Sequence, residues 1–232
     1  MANYLVIAAS SAIGQAVVNI LVSQGDTVFT TARDNTKILP DALLDATDFD
    51  AVSEVFQEAG QIDGVVNCAG SLFLKSAHTT SQPQYQAVID SSLTTAFATV
   101  RAAGLHMQSG GSVVLISSAA ALVGLANHEA IAAAKAGIIG LVQSAASTYA
   151  HFNLRFNVVA PGMIDTPLTA QITANPLALN VSKAMHPLAR IGTPGDVARA
   201  ITFLLNPENN WITGQVLAID GGLSRVRSKI KI

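Results

Sequence analysis

A group of side chains in the second half of this sequence is spaced as proton chemistry would need. Ser118 ends a glycine- and serine-bearing strand at 110–118, and Lys135 closes the run Ala132-Ala133-Ala134-Lys135. Ile131 lies four residues before the lysine, and His128 stands one turn before Ile131. A strand-end hydroxyl can hold an oxygen or cap a turn, and an imidazole titrates where it can give up a proton near neutral pH. Positions i and i+4 share a helix face, so a lysine at 135 would tune an acid at 131. The residue at 131 is a hydrocarbon. The candidate substitutes, His128 and Glu129, both fall at a helix start, where Glu129 would equally favour the dipole and His128 would equally sit in a loop.

The first half carries a different pattern. After the apolar run Tyr4-Leu5-Val6-Ile7-Ala8-Ala9 come Ser10-Ser11-Ala12-Ile13-Gly14 and a helical stretch. Such a turn lets backbone N–H groups and a helix N-terminus cradle a pyrophosphate. The second apolar run ends Thr30-Thr31-Ala32-Arg33. A guanidinium there matches a 2′-phosphate, whereas an acidic residue would hold a ribose hydroxyl. The other reading of Arg33 is a solvated surface charge.

The elements that must position these groups alternate. Strands are expected near 3–9, 26–31, 62–68, 111–117, 154–159 and 215–219, each apolar on both faces, with a further short strand near 42–45. Runs of that kind belong to a parallel sheet covered on both sides. Helices are expected near 13–24, 50–60, 83–108, 128–151 and 194–205, which gives the βαβ alternation of a doubly wound α/β fold. The helices at 83–108 and 128–151 are apolar nearly all round and rich in small residues, which fits burial against another subunit or within the monomer.

Bulk properties narrow the classes. The chain has 232 residues, half of them apolar, enough for one large core in a single domain over 1–232. With a formal net charge of −2 and 12% charged residues, it offers no broad charged face, so a small-molecule ligand is expected and no nucleic acid. The lone Cys68 and the lack of any Cys/His cluster at metal-ligand spacing fit a reducing, cytoplasmic setting and no metal. The apolar start is too short to span a membrane, and no membrane role is expected. The tail at 225–232 alternates Arg225, Arg227, Lys229 and Lys231 with uncharged residues, as an edge segment or a disordered end would.

The segments Asp45-Ala46-Thr47-Asp48, Asn67-Cys68-Ala69-Gly70, Pro161-Gly162-Met163-Ile164-Asp165-Thr166-Pro167, Arg190-Ile191-Gly192-Thr193-Pro194 and Asp220-Gly221-Gly222 fall in order with the turn at 8–14, Ser118 and Lys135. Over 1–222 the chain resembles the short-chain dehydrogenase/reductase family, and most of all its 3-oxoacyl-carrier-protein-reductase branch. The resemblance implies a three-layer, Rossmann-type, doubly wound parallel sheet of seven strands, an NADP or NAD cofactor, and a homo-oligomer. That oligomer would be a tetramer or dimer packed through the helices at 83–108 and 128–151.

Carried over by position, the resemblance places Ser10, Ser11, Ile13 and Gly14 at the pyrophosphate, and Asp45 with Ala46 at the adenine. It places Asn67, Ala69 and Gly70 beside the adenosine ribose, and Pro161, Gly162, Ile164 and Thr166 at the nicotinamide. Arg33 selects NADP. Asp45 as a helix cap and the glycines as plain turn residues are the alternatives. The family's catalytic asparagine, serine, tyrosine and lysine correspond here to Ser92, Ser118, Ile131 and Lys135. Lys135 would also anchor the nicotinamide ribose, Ser92 would support a water, and His128 is the substitute acid. Tyr4, Tyr85 and Tyr149 are expected to pack.

Ala8 and Ala12 replace the family's first two glycines, where a methyl would forbid a left-handed backbone or push the diphosphate outward. The substrate lid corresponds to about 165–190; it is mostly apolar, with Lys183 and His186 its cationic candidates, and so suits a neutral substrate. Two functions follow. One is an NADP-preferring oxidoreductase acting on a carbonyl, alcohol or conjugated enoyl substrate. The other is a catalytically silent cofactor-binding, structural or regulatory member of the same fold.

Overall fold

The computed structural model describes residues 1–227, so 228–232 of the basic tail, with Lys229 and Lys231, lie outside the described residues. Its core is a parallel sheet of seven strands in the order β3-β2-β1-β4-β5-β6-β7. The strands are β1 (Asn3–Ile7), β2 (Thr27–Ala32), β3 (Ala42–Leu43), β4 (Gly64–Asn67), β5 (Gly111–Ile116), β6 (Leu154–Pro161) and β7 (Val216–Ile219). Central strands are buried on both faces, so β4 and β6 are buried at every position, and the polar Asn67, Arg155 and Asn157 within them are buried as well. The chain reverses direction across the sheet between β1 and β4, and an open α/β sheet gapes at such a point.

Helices α1 (Ala12–Ser23), α2 (Phe49–Glu58), α3 (Gln82–Ile89), α4 (Thr95–His106) and α5 (Glu129–Thr148) are followed by α6 (Ala170–Thr173), α7 (Pro176–Met185) and α8 (Pro194–Leu205). Val17 and Leu21 of α1 and Val197, Ile201 and Leu204 of α8 pack on Val6, Val66 and Val114 on one face. Val52 and Phe56 of α2, Ala96 and Ala103 of α4, and Ile138 and Val142 of α5 cover Leu5, Val65, Val113 and Phe156 on the other. Three layers result. Local signals set the helix starts: Ser11 accepts from Gly14 N, Asp48 from Asp50 N and Ala51 N, and Thr193 exchanges hydrogen bonds with Asp196 in a capping box.

The stretch expected as one helix at 83–108 is α3 and α4 joined by a π turn at Asp90–Thr94. The helix at 128–151 is α5, long and apolar enough to cross a membrane by composition, but its Ile138, Val142 and Ala145 are core residues. Its outward face carries Ala133, Ala136, Gly140, Gln143 and Ser144. Tyr4 packs as expected and Tyr149 lies against Phe156, whereas Tyr85 is about half exposed. The lid region holds two helices, α6 and α7, where the sequence suggested only an apolar segment.

Candidate active site

One cleft of about 1320 Å³ lies along the carboxyl ends of the central strands. Following the strand order, its wall carries Arg33 after β2, Ser10 and Ser11 after β1, Cys68, Ala69 and Gly70 after β4, Ser118 after β5 and Pro161 at the end of β6. His128, Ile131 and Lys135 of α5 face it, and α6 and α7 border it.

The first turn is built on backbone geometry. Ala8 adopts φ +58°, so its methyl does not forbid the left-handed conformation; the site accepts a strained alanine where glycine would be free. Ala12 opens α1 in a helical conformation and needs no glycine. Gly14 is required for packing: a Cβ there would lie 2.7 Å from Ala8 O and 2.9 Å from Ala9 Cα. Ser11 Oγ accepts Gly14 N–H at 3.0 Å, and Gln15 N–H goes to Ser11 O at 2.8 Å. The N–H groups of Ala12 and Ile13 have no carbonyl a turn below them, and Ala12 and Ile13 line the cleft, so the helix end is open to an anion.

Lys135 is the buried charge of this site, 6% exposed. Its Nζ donates to Ile116 O at 2.9 Å, while Ser117 Oγ holds the lysine's own carbonyl at 2.8 Å. An ammonium has further protons to give, and these have no partner among the described hydrogen bonds. Burial pulls the Lys135 ammonium down to about 8, partly offset by the adjacent Cys68 sulfur, and pushes the Cys68 thiol up to about 12. A buried cation with unmet donors on the cleft wall fits ribose hydroxyls, and the open end of α1 fits a diphosphate. The residues present therefore fit a dinucleotide.

At the chemical end, Ser118 lines the cleft and its Oγ accepts Ala120 N–H at 3.1 Å. His128 is the N-cap of α5, held by Nδ1 against Ala126 O at 2.7 Å. A carbonyl can only accept, so Nδ1 carries the proton and Nε2 is the free nitrogen. Asn127 before it takes φ +62° and its carbonyl accepts Lys75 N–H at 2.8 Å, which fixes the loop. Glu129 is the first residue of α5, exposed and away from the cleft wall. Ile131 is 4% exposed, packed in a cluster with Val88, Ala130, Ala134, Phe73 and Ile89.

Several expected ligand residues stand behind the wall instead of on it. The Asn67 amide is buried and committed: Nδ2 donates to Thr95 O and Thr99 Oγ1 at 3.1 and 2.9 Å, and Oδ1 accepts Ala69 N–H at 2.8 Å. It shapes the turn that presents Ala69 and Gly70. Gly162 is needed because a Cβ would meet His186 Nε2 at 2.6 Å, and Ile164 is buried with its carbonyl taken by Thr169 Oγ1 at 2.6 Å. Ser92 is 1% exposed with its Oγ unpaired, and it is not on the cleft wall.

Asp45 does not cap α2; Asp48 does, and Asp45 instead holds Thr47 N–H and Oγ1 at 3.0 and 2.7 Å. It stays on the wall beside Ala46, as do Pro161 and Thr166. The two lid candidates part company, since His186 is on the cleft wall and Lys183 is not. His186 is buried, its Nδ1 donating to Ser182 O at 2.6 Å and its Nε2 accepting Met163 N–H at 3.2 Å.

Sequence reasoning missed Ser71, Ser91 and Asp90, which line the cleft without belonging to any recognisable pattern. It also missed α7, whose wall residues Leu177, Ala178, Val181 and Met185 leave an apolar, solvent-facing surface. The signal was present: Asn175 before Pro176 is a helix start, and Asn175 Oδ1 accepts Leu177 N–H and Ala178 N–H.

Sheet order, three layers and a cleft at the switch point together define a Rossmann-type α/β protein. The chain belongs to the short-chain dehydrogenase/reductase family. The family model described as "Enoyl-(Acyl carrier protein) reductase" matches residues 7–224. The 3-oxoacyl-[acyl-carrier-protein] reductase of Thermotoga maritima is 34% identical over 240 residues, covering 94% of this chain and 96% of its own length. A short-chain type dehydrogenase/reductase from Mycobacterium ulcerans superposes with a TM-score of 0.92 at 28% identity, over 98% of this chain and 91% of that one. ElxO with NADP bound gives 0.89 at 31% identity, over 96% and 99% of the two chains.

Proposed function

We propose that this chain binds NADP(H) along the cleft and acts as an oxidoreductase on an uncharged carbonyl, alcohol or conjugated enoyl substrate. The observation that carries the reading is the buried Lys135 ammonium, with unmet donors facing a cleft that the open start of α1 also lines. Arg33 and Lys37 on the rim after β2 favour a 2′-phosphate. The ElxO structure, which holds NADP, supports the same choice. Bound there, the reduced nicotinamide supplies a hydride.

The protein's own part is to hold and protonate. Lys135 anchors ribose hydroxyls, and Ser118 offers its hydroxyl to the substrate oxygen. With Ile131 at the donor position, a carbonyl substrate would draw its proton from His128, whose protonated Nε2 can donate while Ala126 O fixes the ring. A conjugated enoyl substrate asks less, because hydrogen bonds hold its oxyanion while solvent protonates carbon. Losing a dedicated acid lowers the rate by about 10²–10⁴ without abolishing hydride transfer. The small residues on the outward face of α5 support a homo-oligomer packed through α4 and α5.

Ile131 also favours a second reading, because its side chain has become part of an apolar cluster. In that reading the chain binds the nucleotide and turns nothing over. A panel of ketones and enoyl thioesters with NADPH, run on wild type and Ile131→Tyr, separates the two. Turnover by wild type establishes the oxidoreductase. Turnover by the variant alone establishes the silent member, and failure of the wild type to bind NADPH in a fluorescence titration, with NADH as comparison, sinks both.

A further inference from the structure

The π turn at Asp90–Thr94 is seated on α5. Leu93 packs against Gly137, where a Cβ would lie 2.9 Å from the leucine Cδ2. Turns of this type recur at functional sites because they re-aim side chains without ending the helix. Here the turn brings Ser91 to the cleft wall, where its Oγ lies 2.8 Å from that of Ser71, in the loop after β4.

Two hydroxyls share few acceptors here. Ser91 Oγ also lies 3.3 Å from Val88 O. When Ser91 donates to Val88 O, Ser71 donates to Ser91 and turns lone pairs to the cleft; when Ser91 donates to Ser71, the Ser71 proton is free for a ligand. The pair can therefore serve a donor or an acceptor. Leu72, Leu74, Ala87 and Ile131 make the same region of wall apolar. Asp90 lines it as well, with Oδ1 accepting Gln86 Nε2 at 2.9 Å and Thr94 Oγ1 at 3.2 Å. A negatively charged group brought to the serines would meet that carboxylate.

The geometry points to the Ser71–Ser91 pair as a substrate-positioning site for an uncharged oxygen, a hydroxyl or keto group carried in addition to the reacting carbonyl. It rests on the oxidoreductase reading above, and it narrows the substrate to a neutral, oxygen-bearing carbonyl compound. An apolar wall with one adaptable polar point is how a pocket orients such a ligand.

The test is calorimetric binding to protein loaded with NADP⁺, comparing cyclohexanone with 2-, 3- and 4-hydroxycyclohexanone. At least one hydroxyketone binds wild type about tenfold more tightly than cyclohexanone, as one added hydrogen bond allows. In Ser71→Ala/Ser91→Ala the preference collapses, while Ser71→Thr keeps it and all variants hold the wild-type NADP⁺ affinity and Tm. Equal binding of all four ketones to wild type, or a preference that survives the double substitution, overturns the pair's role alone. Wild type that binds NADP⁺ and none of the ketones overturns the carbonyl reading together with it.

Discussion

Gly70 faces Lys135 so closely that a Cβ on the glycine would lie 3.2 Å from Nζ. The lysine leans on a bare backbone, and this lets its ammonium reach Ile116 O while keeping protons for the cleft. A methyl at 70 moves the ammonium by a few tenths of an ångström, because Nζ is the far end of a flexible chain. Gly70→Ala should therefore fold normally and bind NADPH about tenfold more weakly, the worth of one charge-assisted hydrogen bond. Titration of cofactor fluorescence beside a melting curve checks both; unchanged affinity would mean that Lys135 does not touch the nucleotide.

Lys135 and Cys68 give stability opposite dependences on pH. Burial lowers the lysine from 10.5 to about 8, so from pH 8 upward the unfolded chain binds more protons and stability rises. Burial raises the thiol from 9.0 to about 12, so above pH 9 the folded chain binds more protons and stability falls. The two cancel between 9 and 10.5, after which the thiol prevails. Urea midpoints should thus climb from pH 8 to 9, level off and then drop, with Tyr4, also raised by burial, adding to the fall. Lys135→Met should erase the climb and Cys68→Ala should soften the drop.

The turn before α1 makes a paired prediction, since Ala8 is strained where Gly14 is crowded. Ala8→Gly relieves a left-handed alanine worth about 1–2 kcal/mol but loosens the unfolded chain by about 0.4–1 kcal/mol, for a net gain of about 0–1.6 kcal/mol. Gly14→Ala drives a methyl into backbone that cannot yield and should lower stability by about 1–3 kcal/mol. Guanidinium unfolding of both variants measures the contrast, and a destabilised Ala8→Gly would contradict the strain argument.

How much of this was legible in the sequence depended on the scale of the signal. Strands announced themselves because a parallel sheet demands apolar residues on both faces, and α8 ran where Pro194 and the apolar spacing placed it. The break at Asp90–Thr94 left no trace, because a π turn needs neither glycine nor proline. Sequence position alone could not tell wall from support. Asn67 and Gly162 stand where ligand residues were expected, yet one is consumed by three hydrogen bonds and the other makes room for His186. Ser71 and Ser91 became neighbours only through folding, as they lie twenty residues apart.

His186 joins what the chain order keeps separate. By gripping Ser182 O and Met163 N–H at once, it pins α7 to the loop that follows β6. Any swing of α7 away from the sheet must break the Met163 bond or drag that loop with it. On the reading proposed above, entry of a small reactant beside α7 and the seating of a nucleotide against the loop after β6 would thus be mechanically linked through one imidazole.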